Sequence, residues 1–320
     1  MKKIGIVTSG GDAPGMNAAI RALVRLSVWH NLETLGFLRG WEGILKNSFT
    51  TLDARAVSGI LHLGGTILKT SRCLEFKTKE GLEKAAKNLE EDDIDGLIVI
   101  GGEGSIRGAY ELSKLTDVKI AVLPASIDND IYGTDETIGF DTAVNTAISE
   151  INKIRDTAIS HERTFIVEVM GRKRGFLAVE VGLTAGAEVI LVPEVEYDEN
   201  MVLEIIRKDA MLGKASSIIV IAEGVGKTTS LAEAIEKNIG VEVRVSVLGY
   251  VQRGGSPTAR SRRLASIFAA KAIELLLDGK GGRVVGIQRG EVTSISLEES
   301  CSNEKPLNME LLNLAEKLAI

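Results

Sequence analysis

The chain has 320 residues, 44% of them hydrophobic, and a formal charge of −6. Single hydrophobic cores stop growing at roughly 250 to 300 residues, so two domains are expected; the net acidity argues against a general nucleic-acid binder, which needs a basic face. No apolar run reaches the roughly 18 residues of a membrane span and no charged-then-apolar leader is present, so a soluble, cytoplasmic protein without membrane contact is expected.

Two cysteines, Cys73 and Cys301, stand far apart without metal-ligand spacing. Three histidines, His30, His62 and His161, fall in helical-looking segments. A disulfide framework, a zinc site and a histidine-centred triad all lack material, and a proton acceptor is expected to be a carboxylate.

In chain order, "KIGIVT" reads as a buried strand, followed by the loop "TSGGDAPG" and the helix "MNAAIRALVRL". Gly10, Gly11 and Gly15 thus precede a helix start, whose unpaired N–H groups attract anions. Arg21 and Arg25 lie four apart on that helix, two like charges on one face that are mildly destabilising unless an anion or acidic partner sits between them. The run "GLIVIG" opens into "IGGEGSIRG", where Gly101, Gly102 and Gly104 allow close backbone approach and Ser105 offers a hydroxyl. Glu103 among them makes electrostatic sense beside a phosphate if Mg²⁺ lies between. This is not a dinucleotide fingerprint, because the third glycine counted from Gly102 falls on Arg107. After "KIAVLP" comes "PASIDNDIYGTD", with Asp128 and Asp130 flanking Asn129, two carboxylates that could divide proton removal and metal orientation. Ordinary strand-to-helix turns and an Asx-rich turn are the bland readings of these three loops.

The helix "DTAVNTAISEINKIRDTA" carries Val144, Ala147, Ile148, Ile151, Ile154 and Ala158 on one core-facing stripe, and its start near Phe140 is the best place for a crossing between two units. The runs "TFIVEVM", "EVILVP", "SSIIVIA", "VRVSVLG" and "RVVGIQ" follow. Continuous apolarity over four to six residues, alternating with helices, fits parallel strands covered on both faces: an α/β protein with ligands beyond the carboxyl ends of its strands. "EGVGKTTS" is not a P-loop, since the first glycine of that pattern falls on Ile221, inside the strand.

The ordered set "SGGDAPGMNAAIR", "GGTILKTSRC", "IGGEGS", "PASIDND", "SHERTFIVEVMGR", "AEG" and "VLGYVQRGGSPTA" resembles the bacterial ATP-dependent 6-phosphofructokinases over nearly the whole chain. The resemblance implies two lobes of mainly parallel sheet flanked by helices, a larger ATP-binding lobe of residues 1–138 plus 252–305 and a smaller sugar-phosphate lobe of residues 139–251 plus 306–320. It implies transfer of the ATP γ-phosphoryl group to the 1-hydroxyl of fructose 6-phosphate, with Mg²⁺. ATP and Mg²⁺ are then placed at Gly11, Arg72, Cys73, Gly102, Glu103, Gly104 and Ser105, with Glu103 toward the metal. Asp128 would accept the hydroxyl proton, Asp130 would orient metal or substrate, and Arg72 and Arg172 would neutralise the transferring group. The sugar phosphate would be read by Ser126, Asp128, Met170, Gly171, Arg172, Glu223, Tyr250 and Arg253, with Arg163 and Arg244 reaching in from a neighbouring subunit of a homotetramer. An effector site for ADP or phosphoenolpyruvate would use Arg21, Arg25, Gly186, Glu188 and Lys214.

The chain departs from that pattern in places. Glu103 stands for the usual aspartate, Tyr250 for histidine and Ser261 for aspartate, while Lys173 and Arg174 add charge beside Arg172; Leu212 and Gly59 replace an effector-site arginine and aspartate. Alternatives are a pyrophosphate-dependent phosphofructokinase, which carries aspartate at the position of Gly104 and lysine at that of Ala125, and a non-catalytic regulatory paralogue.

Overall fold

The structure is a computed structural model and describes residues 1–214 and 216–319. Its strands in chain order are β1 Lys3–Ser9, β2 Glu33–Phe37, β3 Phe49–Thr51, β4 Gly96–Gly101, β5 Lys119–Ser126, β6 Ile138–Gly139, β7 Thr164–Val169, β8 Val189–Leu191, β9 Ser217–Ala222, β10 Val243–Val247, β11 Arg283–Gln288 and β12 Glu291–Ser296. The chain divides into two compact units, Met1–Thr142 with Arg253–Lys305, and Ala143–Gln252 with Pro306–Ile320.

The first unit holds a sheet ordered β12-β11-β5-β4-β1-β2-β3, with β6 pairing β5. β1, β2, β4, β5 and β11 are parallel; β3 and β12 run antiparallel at the two edges. The central strands are wholly buried, as their unbroken Ile, Val and Leu runs require for a sheet with covered faces. Ser9 pairs with Gly101, and Gly101 with Pro124, so β1 and β4 end level, β5 runs two residues further, and their following loops lie side by side. The β11–β12 hairpin turns through Arg289 (φ 52°) and Gly290 (φ 85°), the doubly left-handed pair that a two-residue loop demands.

The second unit is a four-stranded parallel sheet ordered β10-β7-β9-β8. Its core gathers Ile166, Val189, Leu191, Val202, Ile206, Ile219, Ile221, Leu231 and Ile235. The helix Phe140–His161 begins in the first unit and buries Val144, Ala147, Ile151 and Ala158.

One difference from the sequence reading concerns local structure. His62 lies in a non-helical stretch rather than in a helix, before Gly64 and Gly65, where Gly65 takes φ 65°, a conformation that ends regular helix; its carbonyl accepts Ser256 Oγ–H at 2.8 Å. Ser261 is 1% exposed and exchanges a hydrogen bond with Thr142 Oγ1 at 2.8 Å. Thr258 joins the same cluster, accepting the Ser261 N–H at its hydroxyl and donating to Asp141. The cluster is a chain of hydroxyls that ends on the Asp141 carboxylate, in which the buried Ser261 and Thr142 hydroxyls keep partners. No helix among the described residues is long and apolar enough to cross a membrane.

Candidate active site

The loop after β1 turns through Gly10 at φ 83°. Thr70 Oγ1 donates to the Gly10 carbonyl at 2.8 Å, while Ser71 Oγ lies 2.8 Å from both the Arg39 carbonyl and the Glu42 carboxylate. These bonds fix the segment that carries exposed Arg72 and half-buried Cys73. A Cβ on Gly11 would stand 1.7 Å from Nη2 of Arg253, so glycine is what lets that guanidinium lie across the loop, with its Nε 3.7 Å from Asp12.

Beside it, Gly102 starts the helix Glu103–Ser113. Ser105 is 2% exposed and its Oγ is buried without a hydrogen-bond partner. It faces the glycines: a Cβ on Gly101 would come within 2.5 Å of that oxygen, and one on Gly10 within 3.2 Å. Glu103 is exposed and pairs with Arg107 at 2.9 Å. No group of three or more His, Cys, Asp or Glu side chains converges like a metal cage among the described residues. Mg²⁺ does not need one, since it takes one or two carboxylates together with phosphate oxygens and water. A helix start bearing a carboxylate, glycine-lined backbone and an orphaned hydroxyl fits Mg²⁺ with a polyphosphate.

The third loop holds the carboxylate pair. Asp128 is 5% exposed, and its N–H donates to Ser126 Oγ at 3.1 Å. Asn129 sits between the aspartates at φ 53°, left-handed, where asparagine is among the few tolerated side chains. Ser126 lies next to Gly102, about van der Waals contact from where its Cβ would be. The three loops therefore bring Gly10, Gly11, Gly102, Ser105, Ser126 and Arg253 into one neighbourhood of the first unit.

In the second unit the loop after β7 is itself strained, with Gly171 at φ 137° and Arg172 at φ 54°. The Glu223 carboxylate at the end of β9 holds it, accepting N–H groups from Gly171 at 3.2 Å and Arg172 at 2.6 Å. A carboxylate has roughly four lone-pair sites, so this brace leaves capacity for a ligand hydroxyl. Gln252, fully buried, receives the Met170 N–H at 3.4 Å and donates to the Gly249 carbonyl, tying the Tyr250 turn to the same loop; the Tyr250 side chain is exposed. Lys173 is exposed, whereas Arg174 pairs with Glu194 at 3.6 Å and lies over the Phe176 ring. Arg163, just before β7, and Arg244, on the neighbouring β10, both engage Glu242, the first at 2.6 Å. Lys214 pairs with buried Glu188 at 2.7 Å beside Gly186, whose carbonyl accepts Arg155 at 3.1 Å. Arg21 and Arg25 lie on the helix Met16–Trp29 of the first unit. Leu212, at the end of the helix Glu199–Met211, is 74% exposed.

Sequence reading missed Asp12, Thr70, Gln252 and the Asn129 side chain as supports of these loops. Asn129 was visible within the aspartate pair; the others carried no local signal.

Glycine loops and an aspartate pair thus follow the ends of neighbouring parallel strands, the place where α/β proteins bind their ligands. The phosphofructokinase family model matches residues 3–276. The chain belongs to the phosphofructokinase family. It is 50% identical to the ATP-dependent 6-phosphofructokinase of Bacillus pumilus and 49% identical to that of Bacillus subtilis, each over 320 residues and the full length of both chains. Phosphofructokinase from Saccharomyces cerevisiae superposes with a TM-score of 0.90 at 32% identity, covering 100% of this chain and 48% of the yeast one. A pyrophosphate-dependent phosphofructokinase from Marinobacter aquaeolei shares the fold, with a TM-score of 0.87 at 24% identity over 97% of this chain and 86% of its own.

Proposed function

We propose that this chain transfers the γ-phosphoryl group of ATP to the 1-hydroxyl of fructose 6-phosphate, giving fructose 1,6-bisphosphate and ADP. The observation that carries the reading is full-length identity of about half to relatives named ATP-dependent 6-phosphofructokinase. Asp128 takes the hydroxyl proton as the oxygen bonds to the γ-phosphorus and the bond to the bridging oxygen of ADP breaks. Asp130 orients the reactants. Arg72, Arg172 and the Gly11 backbone stabilise charge on the transferring group, which is where phosphoryl-transfer enzymes do most of their work. Cys73, Gly102, Glu103, Gly104 and Ser105 complete the ATP site, and Glu103 would hold Mg²⁺, which when bound neutralises phosphate charge. Ser126, Met170, Gly171, Arg172, Glu223, Tyr250 and Arg253 read the sugar phosphate. Arg163 and Arg244 act on a neighbouring subunit's substrate in a cytoplasmic homotetramer; their shared engagement with Glu242 supports a joint role.

Gly104 and Ala125 are small, which favours ATP over pyrophosphate as donor. Nothing lies within 4 Å of a Cβ on Gly104, so Gly104→Asp is expected to fold normally. Initial rates with fructose 6-phosphate, Mg²⁺ and either donor test the reading. ATP should be used and pyrophosphate not, and Gly104→Asp should raise KM for ATP by more than about tenfold, as crowding and like charge beside phosphate imply. Turnover with pyrophosphate alone would overturn the ATP reading, and no turnover with either donor would favour a non-catalytic paralogue.

The effector residues support a second, weaker reading of regulation. Lys214 already neutralises Glu188, and Leu212 and Gly59 supply none of the charge of an arginine or aspartate. A missing charge-assisted hydrogen bond costs about 1.5 to 3 kcal/mol, roughly ten- to a hundredfold in affinity. ADP and phosphoenolpyruvate are therefore expected to shift substrate saturation curves only weakly, and Arg21→Ala to remove that shift. A strong response at micromolar effector, or none with no binding outside the catalytic site, would contradict this.

A further inference from the structure

The Asp128–Asp130 turn is held by groups distant in sequence. Asn129 is 6% exposed and its side chain is bonded at both ends: Nδ2 donates to the Asp135 carbonyl at 3.2 Å, and Oδ1 accepts the Thr137 N–H at 3.1 Å. Thr137 Oγ1 donates in turn to the Ser126 carbonyl at 2.6 Å. A second donor reaches the same Asp135 carbonyl, the ammonium of Lys305, at 2.9 Å. The Asp135 side chain is engaged as well, accepting the Arg289 N–H at 2.7 Å.

Lysine ammonium groups are ordinarily solvated, because moving one out of water costs free energy unless it is paired and hydrogen-bonded. Lys305 is half-buried, and burial, its dominant influence, pulls its pKa from 10.5 down to about 8. Three carboxylates oppose that pull in order of strength: Asp135, Asp130 and Glu136. Glu136 has a second cation, Arg260, at 2.6 Å. Lys305 is thus a cation held against the back of the aspartate turn, and one of the carboxylates it feels is half of the proposed catalytic pair.

We propose that Lys305 is a positioning residue for Asp128 and Asp130, its ammonium seating the Asp135 carbonyl that grips Asn129 and supplying positive charge behind the turn. The role rests on the reading of Asp128 as the base. A long side chain entering from the last residues of the first unit thereby sets the aim of two carboxylates on a loop it adjoins only in space.

The test compares Lys305→Met, Lys305→Arg and Asn129→Gly in the full chain, with ATP, Mg²⁺ and fructose 6-phosphate. Glycine keeps the left-handed backbone at residue 129 while deleting the side chain. Lys305→Met is expected to lower kcat on the order of tenfold with less than about a twofold change in KM for ATP, because misplaced reacting groups cost turnover rather than nucleotide binding. Lys305→Arg should restore most of the loss. The Lys305→Met/Asn129→Gly double variant should be little worse than the poorer single, since both break one relay. Unchanged kcat in Lys305→Met, a change confined to KM, or strictly additive losses would overturn the proposal. If Lys305→Met does not fold, Lys305→Gln and the Arg variant decide it by the same criteria. Asp128→Asn in parallel separates the two readings: normal turnover there removes the base assignment, whereas a lost base with an indifferent Lys305→Met removes only the role of Lys305.

Discussion

Asp128→Asn is expected to lower kcat by about 10²- to 10⁴-fold, the range for loss of a general base, with ATP affinity little changed. The substitution is nearly isosteric. Asp128 is buried, so a larger change would disturb packing, but the amide keeps the volume. Its backbone N–H bond to Ser126 and the Asn129 grip on Asp135 and Thr137 do not involve the replaced atoms, so the turn keeps its shape. What disappears is the capacity to accept the hydroxyl proton. Single-turnover measurements at saturating ATP read that step directly, and near-normal rates would remove Asp128 as the base. Mixing Asp128→Asn chains with Arg163→Ala chains should return part of the activity if Arg163 serves a neighbouring subunit, because hybrid assemblies then contain intact composite sites.

Gly224→Ala is expected to act on the other substrate, lowering kcat/KM for fructose 6-phosphate by about 10²-fold while leaving KM for ATP near its starting value. A Cβ at residue 224 would stand 2.3 Å from the Arg172 carbonyl oxygen and 3.2 Å from Cα of Lys173, so backbone has to give way. The loop that moves is the one Glu223 braces through the Gly171 and Arg172 N–H groups, with Gly171 and Arg172 already in left-handed conformations. A displacement there re-aims Arg172, which is assigned both the sugar phosphate and the transferring group. Steady-state kinetics with each substrate varied in turn would show the asymmetry. Equal losses toward both substrates, or none, would show that this loop does not read the sugar phosphate.

The central strands were legible because burial on both faces leaves only apolar side chains, which is why "KIGIVT", "GLIVIG" and "SSIIVIA" announce themselves. β2, β3 and β12 did not. "ETLGF" mixes charge and glycine into a short strand, "FTT" is exposed throughout, and "EVTSIS" is a polar edge whose hairpin turns on Arg289 rather than on the asparagine or aspartate that usually marks such a turn. At the candidate site the glycines and the aspartate pair were visible, since close approach and proton transfer restrict residue type. The supports were not. Thr70 serves Gly10, Gln252 serves Met170 and Lys305 serves Asp135 across 60, 82 and 170 residues, and a threonine, glutamine or lysine in a polar stretch has no feature that names its partner.

Because β1, β4 and β5 are locked in one parallel register with their loops side by side, an insertion or substitution in one loop need not move the strands beneath the other two. A one-residue slip within a strand would instead turn every side chain along it to the opposite face. Heritable change is thereby channelled into the loops, one at a time. On the proposed reading, a single codon at Gly104, where there is open space, would act on the phosphoryl donor without touching Asp128, the proposed base. Donor and acceptor can drift on separate evolutionary clocks over a scaffold that records neither.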